Sequence, residues 1–479
     1  MDLFVGRDKE IRELDSIMCS NRSEFVIIYG RRRVGKTFLI QNYFQKRFAF
    51  SFVGWRNQPL KSQLDRFSKS ISQYFKCKKV RILSSWIEAF DLLEEYIDSI
   101  NTSEKKVIFF DEMPWIDTKQ SEFVEALEYF WNSWANNRDD IIFVACGSAT
   151  SWMVDKLIDN QGGLHNRITR RIYLRPFNLC EVRQYLANKD FDWDFYQIIQ
   201  LYMVVGGVPF YLSLLDNRLS LEQNIDALFF RSGGLLQGEF DELYNALFSK
   251  ADSYILIVKA LSDKREGLSR SEIEQRTKIS GGTLTKILKN LERCDFIVTY
   301  SQFKCKSKYT LYRLKDFFTL FYYKFIEGNN TKDENFWQHA SLTHSVESWE
   351  GFSFELVCYV HLQQIKKALG ISGIFTETST WRYIPNSSDT NSKGSQVDLV
   401  ISRIDKIIHL IEIKFSSKKF TITKDYYDRL KSRKELFAEV NDVSRGLVDT
   451  FITPYGLSDG KYKSLIHSEI TAEYLFEKE

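Results

Sequence analysis

The chain is poor in proline, with 6 in 479 residues, and has no long stretch of biased composition. A disordered or proline-rich scaffold is thereby excluded. Paired cysteines are also lacking. The 7 cysteines, at positions 19, 77, 146, 180, 294, 305 and 358, are odd in number, scattered and never spaced as CxxC, which points to a reducing compartment and away from a zinc site. No charged-then-apolar leader opens the sequence. Its longest apolar runs, such as IIFVAC and FVIIY, fall far below the roughly 20 residues of a membrane span. The expectation is a cytoplasmic protein without membrane contact. Charge of one sign is missing too: a net charge of +3 gives no global field, so any nucleic-acid contact must come from local patches. No internal repeat is found.

What is present is length and changing periodicity. At about 150 residues per domain the chain predicts roughly three. From residue 1 to 215, short β-rich runs (EFVIIYG, FAFSFVG, KVIFFDE, IIFVACGS) alternate with amphipathic helix-length stretches, the pattern of a parallel sheet covered by helices. From 216 to 330 the pattern turns helical and ends in two strand-like runs, DFIVTYSQF and KYTLYRL, around a lysine-rich turn, predicting a winged helix. From 331 to 479 a long helix leads into strands GIFTETSTW, QVDLVIS and IIHLIEIKF, then helix DYYDRLKSRKELFAEV and strand RGLVDTFIT. The segment NSSDTNSKGS between the first two strands reads as a loop. The fold class expected is α/β throughout, with a helical and winged-helix middle.

The most specific motif is Gly30-Arg31-Arg32-Arg33-Val34-Gly35-Lys36-Thr37, a GxxxxGK[ST] loop placed between strand EFVIIY and helix TFLIQNYF. Its glycines let backbone amides wrap phosphates, Lys36 reaches the outer phosphates, and the Thr37 hydroxyl ligates magnesium. Gly30, Val34, Gly35, Lys36, Thr37 and the adjoining Phe38 are the candidate nucleotide contacts. The loop arginines are expected to point outward. In VIFFDE, Asp111 is placed to hold magnesium and Glu112 to polarise an attacking water. The strand IIFVACGS ends in Ser148, a candidate sensor of the terminal phosphate.

FVGRDKE, GRRRVGKT, FFDE, CGSA, LHNRITRRIYLRPF and GGVPFYL follow one another in this order. Together they resemble the archaeal-type ATPase family of P-loop proteins, related to the signal-transducing STAND ATPases. The resemblance implies ATP and Mg2+ as cofactors. It also implies that Val5, Gly6 and Arg7, with Pro209, line the adenine side. An arginine finger falls on Arg167, with Arg170 and Arg171 as alternatives; Asn166 stands where the family has glycine.

In SGGTLTKILKNLERCDF, Leu284, Ile287, Leu288 and Leu291 form one buried stripe. Thr285, Lys286, Lys289, Asn290 and Arg293 occupy the other face. Lys304, Lys306 and Lys308 alternate along the wing. Such a helix and wing suit DNA, the groove by the helix and phosphates by the lysines; packing as a lever is the competing role.

Near the end, Asp398 and Glu412 average to position 405, so a hairpin turning at Ile404, Asp405 and Lys406 sets them opposite each other. Glu412 and Lys414, two apart, share a face. Two carboxylates can bind a divalent cation, and a lysine can orient water or stabilise charge on a phosphate under attack. Upstream, Glu355 stands between Phe354 and Leu356, where an unpartnered carboxylate is costly. Helix glutamate, strand aspartate and glutamate-x-lysine resemble the PD-(D/E)XK nuclease superfamily, here with Val397 in place of the family's proline. The resemblance implies a restriction-endonuclease-like domain. Glu355, Asp398 and Glu412 would be its metal ligands for Mg2+ or Mn2+, and Asp398, Glu412 and Lys414 its catalytic set. A buried salt bridge of Lys414 with Glu412 or Asp398 is the structural alternative.

Two functions follow. In one, ATP hydrolysis through Lys36 and Glu112 gates a winged helix and a metal-dependent nuclease acting on DNA. In the other, the chain is an ATP-switched DNA-binding or scaffolding protein, resembling origin-recognition ATPases, with an inert last domain. Lys431, Arg433 and Lys434 form the one further basic cluster noted. Self-association is left open.

Overall fold

A computed structural model describes the chain except residues 1–4, 77–79, 149, 160–161, 165, 249, 301, 305–309, 330, 386–393, 444–445 and 479. The chain divides into two compact units, Met1–Pro176 with Leu247–Ser249, and Phe177–Ala246 with Lys250–Glu479.

The first unit is built on five parallel strands: β1 (Glu24–Tyr29), β2 (Phe50–Val53), β3 (Lys106–Asp111), β4 (Ile141–Gly147) and β5 (Arg170–Tyr173). They lie in the order β2-β3-β4-β1-β5. The strand ending in Ser148 thus runs between the two motif strands, as expected. Because β1 is buried on both faces, its alternation feeds two cores. Phe25 and Ile27 pack into an aromatic-rich cluster with α3 (Leu60–Tyr74), α4 (Trp86–Asp98) and α5 (Phe123–Ser133). Val26 and Ile28 pack with Leu14, Leu39 and Ile40 of α1 (Asp8–Met18) and α2 (Lys36–Tyr43).

The second compact unit begins at Phe177, inside the segment 1–215, and carries long-range hydrogen bonds of its own. The Leu179 amide donates to His361 Nε2 at 3.0 Å, while His361 Nδ1 faces the Val357 carbonyl at 2.8 Å. Burial pushes this imidazole down to about 4, so it is neutral and can accept. Helix α6 (Phe195–Val205) belongs to the same unit. Next come α7 (Ala251–Ser262), β6 (Leu268–Ser269), α8 (Arg270–Thr277), α9 (Gly281–Arg293), β7 (Ile297–Tyr300) and β8 (Leu311–Leu314). The sheet order is β6-β8-β7, with antiparallel pairs. The α9 stripe is buried as expected. Asn290 is not on the outer face: it is buried and donates to the Tyr254 hydroxyl at 2.8 Å.

The C-terminal sheet has the order β13-β12-β11-β10-β9. It comprises β9 (Thr376–Tyr383), β10 (Ser395–Arg403), β11 (Ile408–Ile413), β12 (Leu447–Thr453) and β13 (Ser468–Thr471), flanked by α10 (His344–Val360) and α11 (Lys424–Val440). Strands β9, β10 and β11 pair antiparallel, and β11, β12 and β13 parallel. Strand β13 carried no sequence expectation. Most of NSSDTNSKGS lies outside the described residues.

On α10, Glu350 is buried and accepts from Gln200 Nε2 of α6 at 2.7 Å. Burial pushes it up to about 7; Gln200 opposes this, while Glu347 and Glu222 add to it. A carboxyl raised in the folded state destabilises as pH rises, from its ordinary range up through about 7, and the ionised form costs on the order of 3 kcal/mol. Glu350→Gln is therefore expected to raise Tm at pH 8 and leave it unchanged at pH 4, as checked by thermal melts; an equal gain at both values refutes the assignment.

Candidate functional site

The phosphate loop starts where β1 ends. Gly30 has φ 142°, and a Cβ there would fall 2.3 Å from the Leu174 carbonyl oxygen, so glycine is required. Gly35, at φ 88°, turns the chain into α2. Lys36 is buried, with Nζ donating to the Gly30 and Arg31 carbonyls at 3.0 and 2.8 Å. Its ammonium is thus held at the mouth of its own loop. Arg31 does not point outward as expected: it is 3% exposed. Arg7 Nη2 donates to the Val34 carbonyl at 3.1 Å, bringing Arg7 against the loop. Phe38 is exposed.

The two motifs meet side chain to side chain. The Thr37 hydroxyl donates to Asp111 Oδ2 at 2.6 Å, and Asp111 Oδ1 accepts from the Glu112 amide at 2.9 Å. A hydroxyl and a carboxylate so placed are hard oxygen donors that fit Mg2+. Glu112 sits at φ 48°, a left-handed conformation that turns its side chain away from the strand direction. Its carboxylate accepts from Ser148 Oγ at 2.9 Å and from the Ser148 amide at 3.3 Å. Burial pushes Glu112 up, Lys36 pulls it down and Asp111 raises it again. This suits a general base. Ser148, expected as a phosphate sensor, here donates to the Glu112 carboxylate.

Arg167 is exposed on the turn before β5, and its side chain makes no hydrogen bond or ion pair among the described residues. Arg170 Nη1 donates to the Thr169 carbonyl at 2.8 Å. Neither is brought to the loop by any contact. Pro209 belongs to the second unit and opens the short helix Pro209–Ser213.

In the second unit the hairpin register is the one expected: Leu399 pairs with Ile411 and Val400 with Leu410, which sets Asp398 opposite Glu412. A β-bulge between Val397 and Val400 on the β9 side marks the same point. Lys414 Nζ lies 2.8 Å from Glu412 Oε1. Glu412 is engaged further. Arg433 Nη1 pairs with its Oε2 and the Tyr426 hydroxyl donates to its Oε1, both from α11. Although burial pushes Glu412 up, Arg433 and Lys414 hold it down at about 2. Asp398 accepts only from the Ile413 amide, at 3.0 Å, among the described residues. Burial and the Glu412 charge push it up to about 6. Glu355 is pushed up to about 7 by burial and then by Asp398. Three carboxylates therefore influence one another, yet no group of three or more His, Cys, Asp or Glu side chains is arranged to hold a metal ion among the described residues. Glu412 itself is engaged by Arg433, Lys414 and Tyr426.

Two basic clusters are also rearranged. Arg433 is buried against Glu412, Lys434 pairs with Asp449 at 2.9 Å, and Lys431 remains exposed, so they do not form one surface. Between β7 and β8, Lys304 Nζ donates to the Asn441 carbonyl at 2.6 Å. Beside it Phe303 is buried with Trp381 and Phe437, and its amide donates to the Thr380 carbonyl at 2.9 Å. This edge is docked on the C-terminal sheet rather than free. Lys306 and Lys308 lie outside the described residues. Sequence reasoning missed Tyr426 and Arg433 as partners of Glu412, although their seven-residue spacing on one helix face was a usable signal.

The family of ATPase domains found predominantly in Archaea matches residues 4–215. Over these residues the chain is similar to that ATPase-domain family. An uncharacterized protein of Methanocaldococcus jannaschii is 24% identical over 438 residues, covering 91% of this chain and 92% of that protein. The Walker-type ATPase of Pyrococcus abyssi aligns with a TM-score of 0.46 and 19% identity, covering 67% of this chain and 96% of that one. The ORC2 protein of Aeropyrum pernix aligns with a TM-score of 0.41 and 15% identity, covering 64% and 89%. The ATPase domain's match supports ATP binding and hydrolysis, with Mg2+ as the usual companion of the nucleotide. Its last residues, from Phe177 on, are carried by the second unit. No helix among the described residues is long and apolar enough to cross a membrane.

Proposed function

We propose that the chain is an ATP-hydrolysing switch whose nucleotide state gates a winged helix and a nuclease-like, divalent-cation-dependent site acting on DNA. Nucleotide contacts would come from Val5, Gly6, Arg7, Gly30, Val34, Gly35, Lys36, Thr37 and Phe38, with Pro209 on the adenine side and Arg167 as the finger. Thr37 and Asp111 would hold Mg2+, and Glu112, oriented by Ser148, would take the proton of the attacking water. In the second unit, Asp398 and Glu412 would hold Mg2+ or Mn2+, with Glu355 nearby, and the cation would polarise a phosphodiester. Lys414 would stabilise charge on the phosphate. The element order of α7, β6, α8, α9, β7 and β8 supports the winged-helix assignment.

The observation that carries the nuclease reading is the register placing Asp398 beside Glu412, with Lys414 on the same face. One observation favours a second reading, an ATP-switched DNA-binding scaffold with an inert last domain: Arg433, Lys414 and Tyr426 already satisfy Glu412. Incubation with supercoiled plasmid, Mg2+ or Mn2+, with and without ATP, separates them. Metal-dependent nicking lost in Asp398→Asn is the expected result. Binding without nicking under every condition establishes the scaffold.

A further inference from the structure

Phe352, on α10, carries two guanidinium groups on one ring. The Arg313 carbon Cζ lies 4.6 Å from the ring centroid and that of Arg265 5.0 Å. The two cations are therefore held within a Debye length, about 10 Å at 0.1 M salt, and repel each other. Arg265 makes no ion pair among the described residues, and Arg313 makes only one long one. The neighbouring Glu266 pairs instead with Arg382, at 3.3 Å. For Arg313 the nearest acid is Glu355 Oε2, at 4.0 Å, beyond hydrogen-bond reach.

The Arg313 side chain is nonetheless only 11% exposed, and its Nη2 is buried without a hydrogen-bond partner among the described residues. Leaving a charged donor buried and unmatched is unfavourable. It is brought there by β8, whose hairpin is fixed to the C-terminal sheet through the Gln302–Thr380 bridge and Phe303. So residues from the small antiparallel sheet region stand at the edge of the Glu355, Asp398, Glu412 and Lys414 cluster.

We propose that Arg313 and Arg265, stacked on Phe352, form a seat for the phosphodiester backbone of a nucleic acid beside the carboxylate cluster. The chemistry fits. A planar guanidinium presents paired N–H donors to two non-bridging oxygens, and an anion between two cations relieves their repulsion. Arg313 is the buried anchor, while Arg265, exposed, meets the strand at the rim. The seat rests on the nuclease-like reading and deepens it by naming what would bring the strand to Asp398.

The test is fluorescence anisotropy with the full chain in EDTA over a salt series, using labelled duplex DNA, single-stranded DNA and RNA of one sequence. Arg265→Ala should weaken binding about tenfold at low salt and lower the salt slope by about one counterion. Arg313→Ala should weaken it more, and Arg313→Lys should fall between, since a point charge loses the paired contact. The three probes show which nucleic acid the seat prefers. If Arg313→Ala melts early, the loss of binding in Arg265→Ala, a change at an exposed position, decides the matter alone. Parent affinity and slope retained in the Arg265→Ala/Arg313→Lys double variant overturn the proposal, as does a parent that binds none of the probes. Adding Mn2+ separates the two readings: a parent that binds through the seat but never cleaves keeps the seat and retires the nuclease.

Discussion

Lys36→Ala is expected to abolish ATP binding, whereas Glu112→Gln should bind ATP as the parent does and lose turnover by about 10²–10⁴-fold. The Lys36 ammonium is held by the carbonyls of Gly30 and Arg31 at the entry to its loop, so its removal deletes the charge proposed to meet the outer phosphates. Glu112 touches Ser148 and carries no contact to the loop backbone among the described residues, so its amide isostere keeps the fold and loses only the base. Because burial raises Glu112, the acid limb of the pH–rate profile should lie above that of a free carboxyl. Ser148→Ala should shift that limb while leaving nucleotide affinity unchanged. Equilibrium binding of a fluorescent ATP analogue and phosphate release are the two measurements. Parent-like binding by Lys36→Ala would falsify the nucleotide assignment.

What could be read from the sequence was local chemistry with a fixed spacing. The loop from Gly30 to Thr37 admits few conformations, so strand, loop and helix followed from the letters. The hairpin at residue 405 followed from arithmetic, since alternation and a short turn leave a single register for Asp398 and Glu412. What escaped was set by distant residues. The Leu179 amide meets His361, 182 residues away, within the second unit, a pairing that no periodicity announces. Asn290, polar on a nominally outer face, is buried because Tyr254 supplies a partner. Lys304 reads as a wing cation until Phe303 is seen locked into the core beside Trp381. In each case a polar or aromatic side chain followed its partner rather than its helical or strand phase.

Glu412→Ala should destabilise the second unit by about 3–5 kcal/mol, because truncation strands Arg433 and Lys414 as partly buried cations and leaves the Tyr426 hydroxyl without its acceptor. Asp398→Asn should cost little or nothing. It removes a charge that burial and Glu412 already disfavour, and its amide oxygen still accepts from the Ile413 amide. The two carboxylates face each other across one hairpin, yet they play opposite parts, one compensated and one not. Their pH dependence is opposite as well. The stability that Glu412 contributes is present above the ordinary carboxylate range and is lost as pH falls toward about 2, whereas the penalty from Asp398 grows as pH rises through about 6. Urea unfolding at pH 8 of the parent, Glu412→Ala, Asp398→Asn, Glu412→Gln, Arg433→Met and the Glu412→Gln/Arg433→Met pair tests both effects, and the last three with the parent give the coupling directly, since the pair should recover most of the loss. Mn2+ supplies the second axis. A divalent cation that raises the parent midpoint and leaves Asp398→Asn unmoved makes Asp398 a metal ligand despite the engagement of Glu412. A Glu412→Ala variant as stable as the parent would instead show that the Arg433 and Lys414 pairs do not hold this domain together.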